Sequence, residues 1–509
     1  MMFHKSPDIA QGFVSEPNAD DAPTVKSLPS NQLLKWSMVA LLLYFGLRLL
    51  FLATSISPFI PPDEVTHFGI CTVFSVFPFL PGNTPESYQY GLVTNIPWLY
   101  YWIMGKLLTL NFTGISGLVF LRLLNIPLAF AFVFYVWRTL RLVTDDRLTQ
   151  VLLVVAMTNT MMLTFLSAFV TYDNLTNLLA AMSVYYLLAF FKTRSAATLA
   201  ASLVCQLAGC LTKITFLPLV PVLGILLIIH EIRNLRGLPA ALMICFRNNM
   251  WRSSIVALTL LFGLALNIQL YGGNYFNYGT ITLETTDVLP LESALQYRLT
   301  ARGYIFKLFK EGRVSKTQAI EMTARIDHPG DRADAVFMIE NYAKFKTGEI
   351  RLMGLPEYMA LWTERMAAGI FGVFGHLQIA NYWPTIAPVA LLAVLTLIAF
   401  LIKWRPWDAN CFPSYLMVIA GFYAFFLMYR FNYQEYLDNG APYVSLHGRY
   451  IFPVIGPIYI LASIYLIRLF KGRAARLATF GLAAFIFIVS DFPLFLARIT
   501  PEWSYWPTN

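Results

Sequence analysis

Apolar residues in this chain come in long blocks and not in alternation. Runs rich in Leu, Ile, Val, Phe and Ala fall at 33–57, 116–137, 148–170, 174–191, 195–211, 214–230, 253–271, 382–402, 412–429, 450–467 and 477–497, with a shorter one at 96–110. Most reach or approach the roughly 20 residues that a helix needs to cross a hydrocarbon core. A membrane barrel would instead show segments of about 10 residues that alternate polar and apolar. The pattern predicts an all-α polytopic membrane protein with about 11 transmembrane helices.

The run at 96–110, "IPWLYYWIMGKLLTL", is short, carries Lys106 and is loaded with Trp and Tyr, as helices lying in a membrane interface are. If it spanned, the basic clusters Arg138/Arg141/Arg147, Lys192/Arg194, Arg233/Arg236/Arg247/Arg252, Lys403/Arg405 and Arg468/Lys471/Arg473/Arg476 would lie opposite Lys26 and Lys35. Laid flat, it puts every cluster on the side of the N-terminus, as the positive-inside rule requires. This predicts a cytoplasmic N-terminus and five regions. These are a disordered polar tail at 1–32, a transmembrane module at 33–271 with an outer loop at 58–115, an extracytoplasmic cap at 272–381, a second set of transmembrane helices at 382–497, and an outer tail at 498–509. The cap shows helical patterning in "LESALQYRLTARGYIFKLFKEG" and "RADAVFMIENYAKF", and is long for an unstructured connection.

Composition agrees with the block pattern: 57% of residues are hydrophobic and 13% charged, against about a quarter charged in soluble domains. The net charge of +9 comes from residues spread between the apolar runs, so it does not mark a nucleic-acid surface. The cysteines, Cys71, Cys205, Cys210, Cys245 and Cys411, are scattered and odd in number, which supports neither a disulfide framework nor a zinc site.

Chemistry concentrates where the chain leaves the apolar runs. In "FIPPDEVTHFGI" Pro61 and Pro62 end the first helix, and Asp63 is placed to cap the next one. On that helix His67 lies four residues from Asp63 and three from Glu64, so the three share a face. The ordinary alternative is a capping motif with a surface histidine. Asp173, in "FVTYDNLTNLL", is expected on the same side of the membrane as Asp63, although it too could be a plain cap. Two carboxylates on one face can divide the roles of base and orienter. Arg48 lies about 12 Å inside the end of the first run at 1.5 Å per residue, a depth at which a cation usually faces a partner or cavity. Arg122, Lys213 and Arg449 lie near outer ends of spans, where snorkelling is the ordinary explanation. His447 and Gly448 flank Arg449, the glycine allowing close backbone approach to a ligand. Cations and acids converging on one outer rim suit a phosphate-bearing amphiphile that meets a hydroxyl nucleophile.

These motifs resemble those of the GT-C superfamily of glycosyltransferases, which use polyprenyl-phosphate sugars. "PPDEVTHF", "IPWLYYWIMGKLL" and "FLRLLNIPLAF" stand where that superfamily has its first outer loop, juxtamembrane helix and following span. Within it, the order of "PPDEVTHF", "PWLYY", "LTKITFLPL" and "HGRYIFP" is most similar to the bacterial family called domain of unknown function 2142, over most of residues 35 to 470. The cap matches no pattern of that family, and "NIPWLYY" departs from its commoner Pro-Pro pair.

The resemblance implies a multi-pass enzyme of the bacterial inner membrane. It would transfer a sugar, with inversion, from a polyprenyl-phosphate donor to a glycan, lipid or protein acceptor on the periplasmic face, in cell-envelope glycan assembly. It implies Asp63 as base and Asp173 as the second acid, with Arg122 as structural support. Glu64, part of the family signature without a settled role there, joins Asp63 and Asp173 as a candidate catalytic residue. His67, Arg48, Tyr100, Tyr101, Arg122, Lys213, His447, Arg449 and Tyr450 become candidate substrate-binding residues, with Lys213 and Arg449 on the donor phosphate. In metal-dependent members Asp63 and Asp173 would bind a divalent cation such as magnesium or manganese. The other reading the residues allow is a transporter or flippase for a lipid-linked or anionic solute, although paired repeats, which transporters often carry, are not visible. A third is a scaffold whose cap binds a partner protein.

Overall fold

A computed structural model describes residues 31–231, 250–375, 377–378, 383–405, 411–444 and 446–503. Residues 1–30 of the tail expected at 1–32, the basic residues Arg233, Arg236 and Arg247, and Cys245 lie outside the described residues, as do 504–509. The first helix begins at Asn31, inside the expected tail. The chain is mostly helical. Among the described residues, strand is confined to one antiparallel hairpin, Val373–Phe374 with Leu377–Gln378.

Nine helices among these residues are long and apolar enough to cross a membrane, as a multi-pass membrane protein requires. They include α1 (Asn31–Ser55), α4 (Gly117–Val143) and α7 (Tyr172–Thr193). Two predicted spans turn out shorter than a full crossing. The run at 148–170 is split into α5 (Arg147–Thr158) and α6 (Met161–Leu166), broken at Asn159 and Thr160. The run at 195–211 forms the 15-residue α8 (Ala196–Cys210).

The first outer loop holds α2 (Glu64–Val76) and α3 (Leu99–Leu108). With 10 residues α3 extends only about 15 Å, too little to cross, so it forms no span. It packs on α2 through Gly105: a Cβ there would lie 2.7 Å from Phe74 Cβ and 2.8 Å from the Cys71 carbonyl. Lys106 donates to the carbonyls of Phe74, at 2.8 Å, and Phe77. Bonding its charge to these carbonyls explains how a half-buried lysine sits in so apolar a helix.

The most enclosed long helix is α7. It packs on α4, on α8 and on the turn Gly448–Val454. Its first turn is fixed by Thr171, whose hydroxyl accepts from the Asp173 N–H. Asp146 caps α5 by accepting from Thr149 N–H and also receives Arg476 at 3.0 Å.

Arg48 does not face a cavity. It is 2% exposed, donates to Asp491 at 2.8 Å and to the carbonyl of Thr158, and lies over the Tyr44 ring. The arginine thus ties α1 to the break after α5 and to the last span, where Asp491 supplies the counter-charge that a buried cation needs.

The expected cap is helical, with Arg298–Lys310, Lys316–Thr323 and Pro329–Lys346 around a small core of Ile305, Phe306, Ala335 and Ile339. Its borders are narrower than 272–381. The preceding span runs on to Tyr278, and Leu355–Phe371 packs through Tyr358, Trp362 and Met366 into the main membrane core.

Candidate active site

Asp63 occupies the turn between α1 and α2 with φ 58° and ψ 13°, a left-handed conformation that aspartate tolerates better than most residues. It stands at the N-cap position but makes no side-chain cap, contrary to the sequence expectation. Its carboxylate instead receives Arg449 Nη2 at 2.6 Å and Arg298 Nη2 at 2.7 Å. In both bonds donor and acceptor are ionised. Burial alone would raise the Asp63 carboxyl. Arg449, His67 and Arg298 outweigh it and hold the group well below the usual carboxylate range.

Glu64, one residue on, points elsewhere. Its side chain is fully buried, receives Arg122 Nε at 2.9 Å and Nη2 at 2.5 Å, and accepts from the Val170 N–H at 2.9 Å. Arg122 spends its remaining nitrogen on the carbonyls of Ala53 and Ile56. Glu64 and His67 therefore do not share a face in use, and neither Glu64 nor Arg122 lines the cavity described next. Together they clamp the end of α1, the start of α2, α4 and the segment before α7.

Asp63, His67, Tyr101, Lys213, Arg449 and Tyr450 do meet, in the wall of one cavity of about 330 Å³. Asp173 stands just behind the wall. It receives Lys213 Nζ at 2.5 Å and lies 3.9 Å from Arg449 Nε, so Arg449 links the two aspartates. Lys213 Nζ also lies over the rings of Tyr172 and Tyr450, 4.5 and 4.9 Å from their centroids. His67 contacts the Tyr101 hydroxyl through Nδ1 at 2.8 Å and packs edge-on to Tyr172. Burial depresses its imidazole to about 4, against the raising effect of Asp63, so the ring is neutral at ordinary pH. Two nitrogens of this wall, His67 Nε2 and Arg449 Nε, are buried with no hydrogen-bond partner. Native structures rarely leave such groups unmatched.

Arg449 is held in place by backbone contact. A Cβ on Gly448 would come within 2.4 Å of the Gly369 carbonyl carbon. The glycine thus admits another stretch of backbone, not a ligand as expected. The remaining sequence candidates lie apart. Tyr100 is buried and bonds to Asn125 at 3.1 Å, and His447 is exposed with its ring edge-on to Tyr450.

Sequence reading passed over several wall residues. Tyr297 and Leu299 come from the cap, Tyr90 from the outer loop, and Tyr172 from the residue before Asp173. Arg298 was equally unmarked. Both it and Tyr297 lie within a stretch quoted above only for its helical pattern, where nothing separates them from other cap residues. A larger apolar groove, about 710 Å³, lies between α1 and α4 near Leu34, Lys35 and Arg147. It has no acid in its lining, and the chemistry belongs to the smaller cavity.

The donor set does not fit a divalent cation. Asp63 is taken up by two guanidiniums and Asp173 by an ammonium, and among the described residues no group of three or more His, Cys, Asp or Glu side chains could hold a metal ion.

Comparison with family models returns no match, so the narrower family resemblance drawn from the motifs is not confirmed. Comparison with curated proteins returns none either. Among solved structures, the chain is similar to the archaeal oligosaccharyltransferase AglB from Archaeoglobus fulgidus, in complex with an inhibitory peptide and a dolichol-phosphate. The TM-score is 0.46 at 13% identity, over 93% of this chain and 57% of that one. It is also similar to ArnT from Cupriavidus metallidurans in the apo state, with TM-score 0.34 at 12% identity, over 93% of this chain and 82% of that one. This chain therefore spans little more than half the length of the AglB chain it matches.

Proposed function

We propose that the chain is a membrane glycosyltransferase of the GT-C kind, transferring a sugar from a polyprenyl-phosphate donor to an acceptor hydroxyl in the 330 Å³ cavity. The observation that carries this is the linked row Asp63–Arg449–Asp173–Lys213. It sets two fixed cations beside a carboxylate at the mouth of an apolar bundle.

In the reaction the acceptor oxygen attacks C1 of the sugar from the side opposite the phosphate. A bond from C1 to the acceptor forms as the C1–O bond to phosphate breaks, and polyprenyl phosphate leaves with the electron pair. Lys213 and Arg449 neutralise the charge growing on that phosphate, a preorganised form of stabilisation that costs no reorganisation in the transition state. Arg449 Nε has a donor to spare for a phosphate oxygen. Asp63 takes the acceptor proton. It is ionised throughout the neutral range but a weak base between Arg449 and Arg298, so the proton moves only as the hydroxyl becomes acidic with its bond to C1 developing. Neutral His67 offers Nε2 to a sugar or acceptor hydroxyl. Inversion follows from a single in-line displacement. The basic clusters, read on the side opposite this cavity, support an opening onto the outer face of the membrane, which in this reading is a bacterial inner membrane.

The test uses the purified full-length chain in detergent with a panel of undecaprenyl-phosphate-linked sugars and acceptors. Product is expected without a sealed compartment, and Asp63→Asn should abolish it while leaving the protein folded. Solute movement in sealed vesicles with no glycosidic product, or full activity in Asp63→Asn, would overturn the assignment.

A further inference from the structure

Asp63 has two cationic partners of different standing. Arg449 is 4% exposed and comes from the membrane-embedded core beside α7. Arg298 is 23% exposed and is the first residue of a cap helix. Its other nitrogen is held by Asp331, which also receives Arg302 at 3.3 Å and lies 3.0 Å from His328 Nδ1. Arg302 goes on to Asp334 at 2.9 Å. The cap therefore carries its own network, which orients one guanidinium outward onto an acid of the membrane module. The cap adds Leu283, Thr285, Tyr297 and Leu299 to the cavity wall. Its seat on the outer loop is small: Leu92 packs with Leu289 and Ala294, and the Tyr297 ring lies over Gly91.

Resting on the transfer reading above, we propose that Arg298 is a positioning residue for Asp63: the docked cap delivers a second guanidinium to the carboxylate and covers it. An acceptor then reaches Asp63 only when Arg298 gives up that contact. Asp331 is already bonded to Arg298 and retains it when this happens, so the arginine need not be stranded. A partly exposed ion pair is cheap to break, whereas the buried Arg449 pair is not, so the cap side is the one that yields. If Arg298 only stapled the cap in place, its charge toward Asp63 would be immaterial.

Carboxyl labelling with a carbodiimide and glycine ethyl ester, read by mass spectrometry on the full-length chain in lipid nanodiscs, separates these cases. Arg298→Gln should raise modification of Asp63 severalfold over wild type, with Asp173, enclosed behind Arg449, unchanged as the internal reference. Arg298→Lys keeps the charge and should restore most of the protection, which a staple dependent only on the shape of arginine would not do. Equal labelling of Asp63 in wild type and Arg298→Gln overturns the proposal, as does a parallel rise at Asp173 or a failure of lysine to protect. The labelling needs neither donor nor acceptor. Absence of glycosyl transfer with intact Arg298-dependent protection would therefore overturn the enzyme assignment and leave the cap contact standing.

Discussion

Glu64→Ala should unfold the mouth of the protein and not merely silence it. Glu64 is saturated: two bonds from Arg122, at 2.9 and 2.5 Å, and one from the Val170 N–H at 2.9 Å, in a side chain with no exposed surface. Removing one partner of such a pair leaves an uncompensated buried charge, at a cost of about 3–5 kcal/mol. The orphaned Val170 N–H alone would cost about 1–3 kcal/mol, within and not on top of that range, since the terms share one carboxylate. Arg122 keeps the carbonyls of Ala53 and Ile56 and its place over the Phe169 ring, so the lower half of the range is expected. Glu64→Leu with Arg122→Met removes both charges and should recover most of the loss. The assay is unfolding of the chain in mixed micelles at increasing dodecyl sulfate, read for both single variants and the double, so that the coupling is isolated. Rates should be compared as well as midpoints, because membrane proteins commonly unfold irreversibly. A Glu64→Ala protein as stable as wild type but without transferase activity would refute the clamp and return Glu64 to the catalytic residues that the motif implied.

Acid should loosen the site through His67. Its imidazole falls to about 4 in the folded chain from 6.5, so the unfolded chain binds the extra proton between those values. Stability is then full above pH 6.5 and declines toward pH 4, by about 3 kcal/mol at most from a shift of this size. In unfolding measured across that window, His67→Gln should flatten the slope, and an unchanged slope would show that His67 is not its source. The Asp63 pairs lose their contribution only when pH falls below the ordinary carboxylate range, since the folded group titrates lower still. Gly448→Ala must push apart two backbones, Gly369 and its own. Overpacking of about 1–3 kcal/mol is expected, with activity falling further because Arg449 moves. A Gly448→Ala protein with wild-type activity and stability would contradict that.

Why the fold could be read from the sequence while the site was read only in part follows from the range of the forces involved. Long apolar blocks answer to the thickness of a bilayer and need no partner to be recognised, so the nine long helices among the described residues are visible in the apolar pattern alone. The break at Asn159 and Thr160 is not, because it is fixed by contacts from distant residues, Arg48 on the Thr158 carbonyl and Tyr459 on the Thr160 hydroxyl. The same limit governs the cavity. Lys213 and Arg449 could be anticipated as cations near span ends, but the partner of Arg48 is Asp491, 443 positions away, and Arg298 reaches Asp63 across 235. No local pattern encodes such pairings.

The adjacent acids Asp63 and Glu64 carry the point further. A helical wheel puts both beside His67, and motif logic gives both a catalytic role. What separates them is one backbone angle: the left-handed turn at Asp63 leaves it at the N-cap position, off the helix and open to the cavity, while Glu64 begins α2 and faces inward. Two prolines before the pair prevent the first helix from absorbing the turn. The longer side chain at 64 reaches Arg122, and the shorter one at 63 stays at the rim between two arginines. Exchanging the two, as Asp63→Glu with Glu64→Asp, conserves charge and composition yet should lose both clamp and activity. The clamp loses reach by one methylene, and the rim carboxylate is carried one methylene out of its place between Arg449 and Arg298. An exchanged protein with wild-type stability in micelles and wild-type transfer would refute the dependence of both sites on side-chain length.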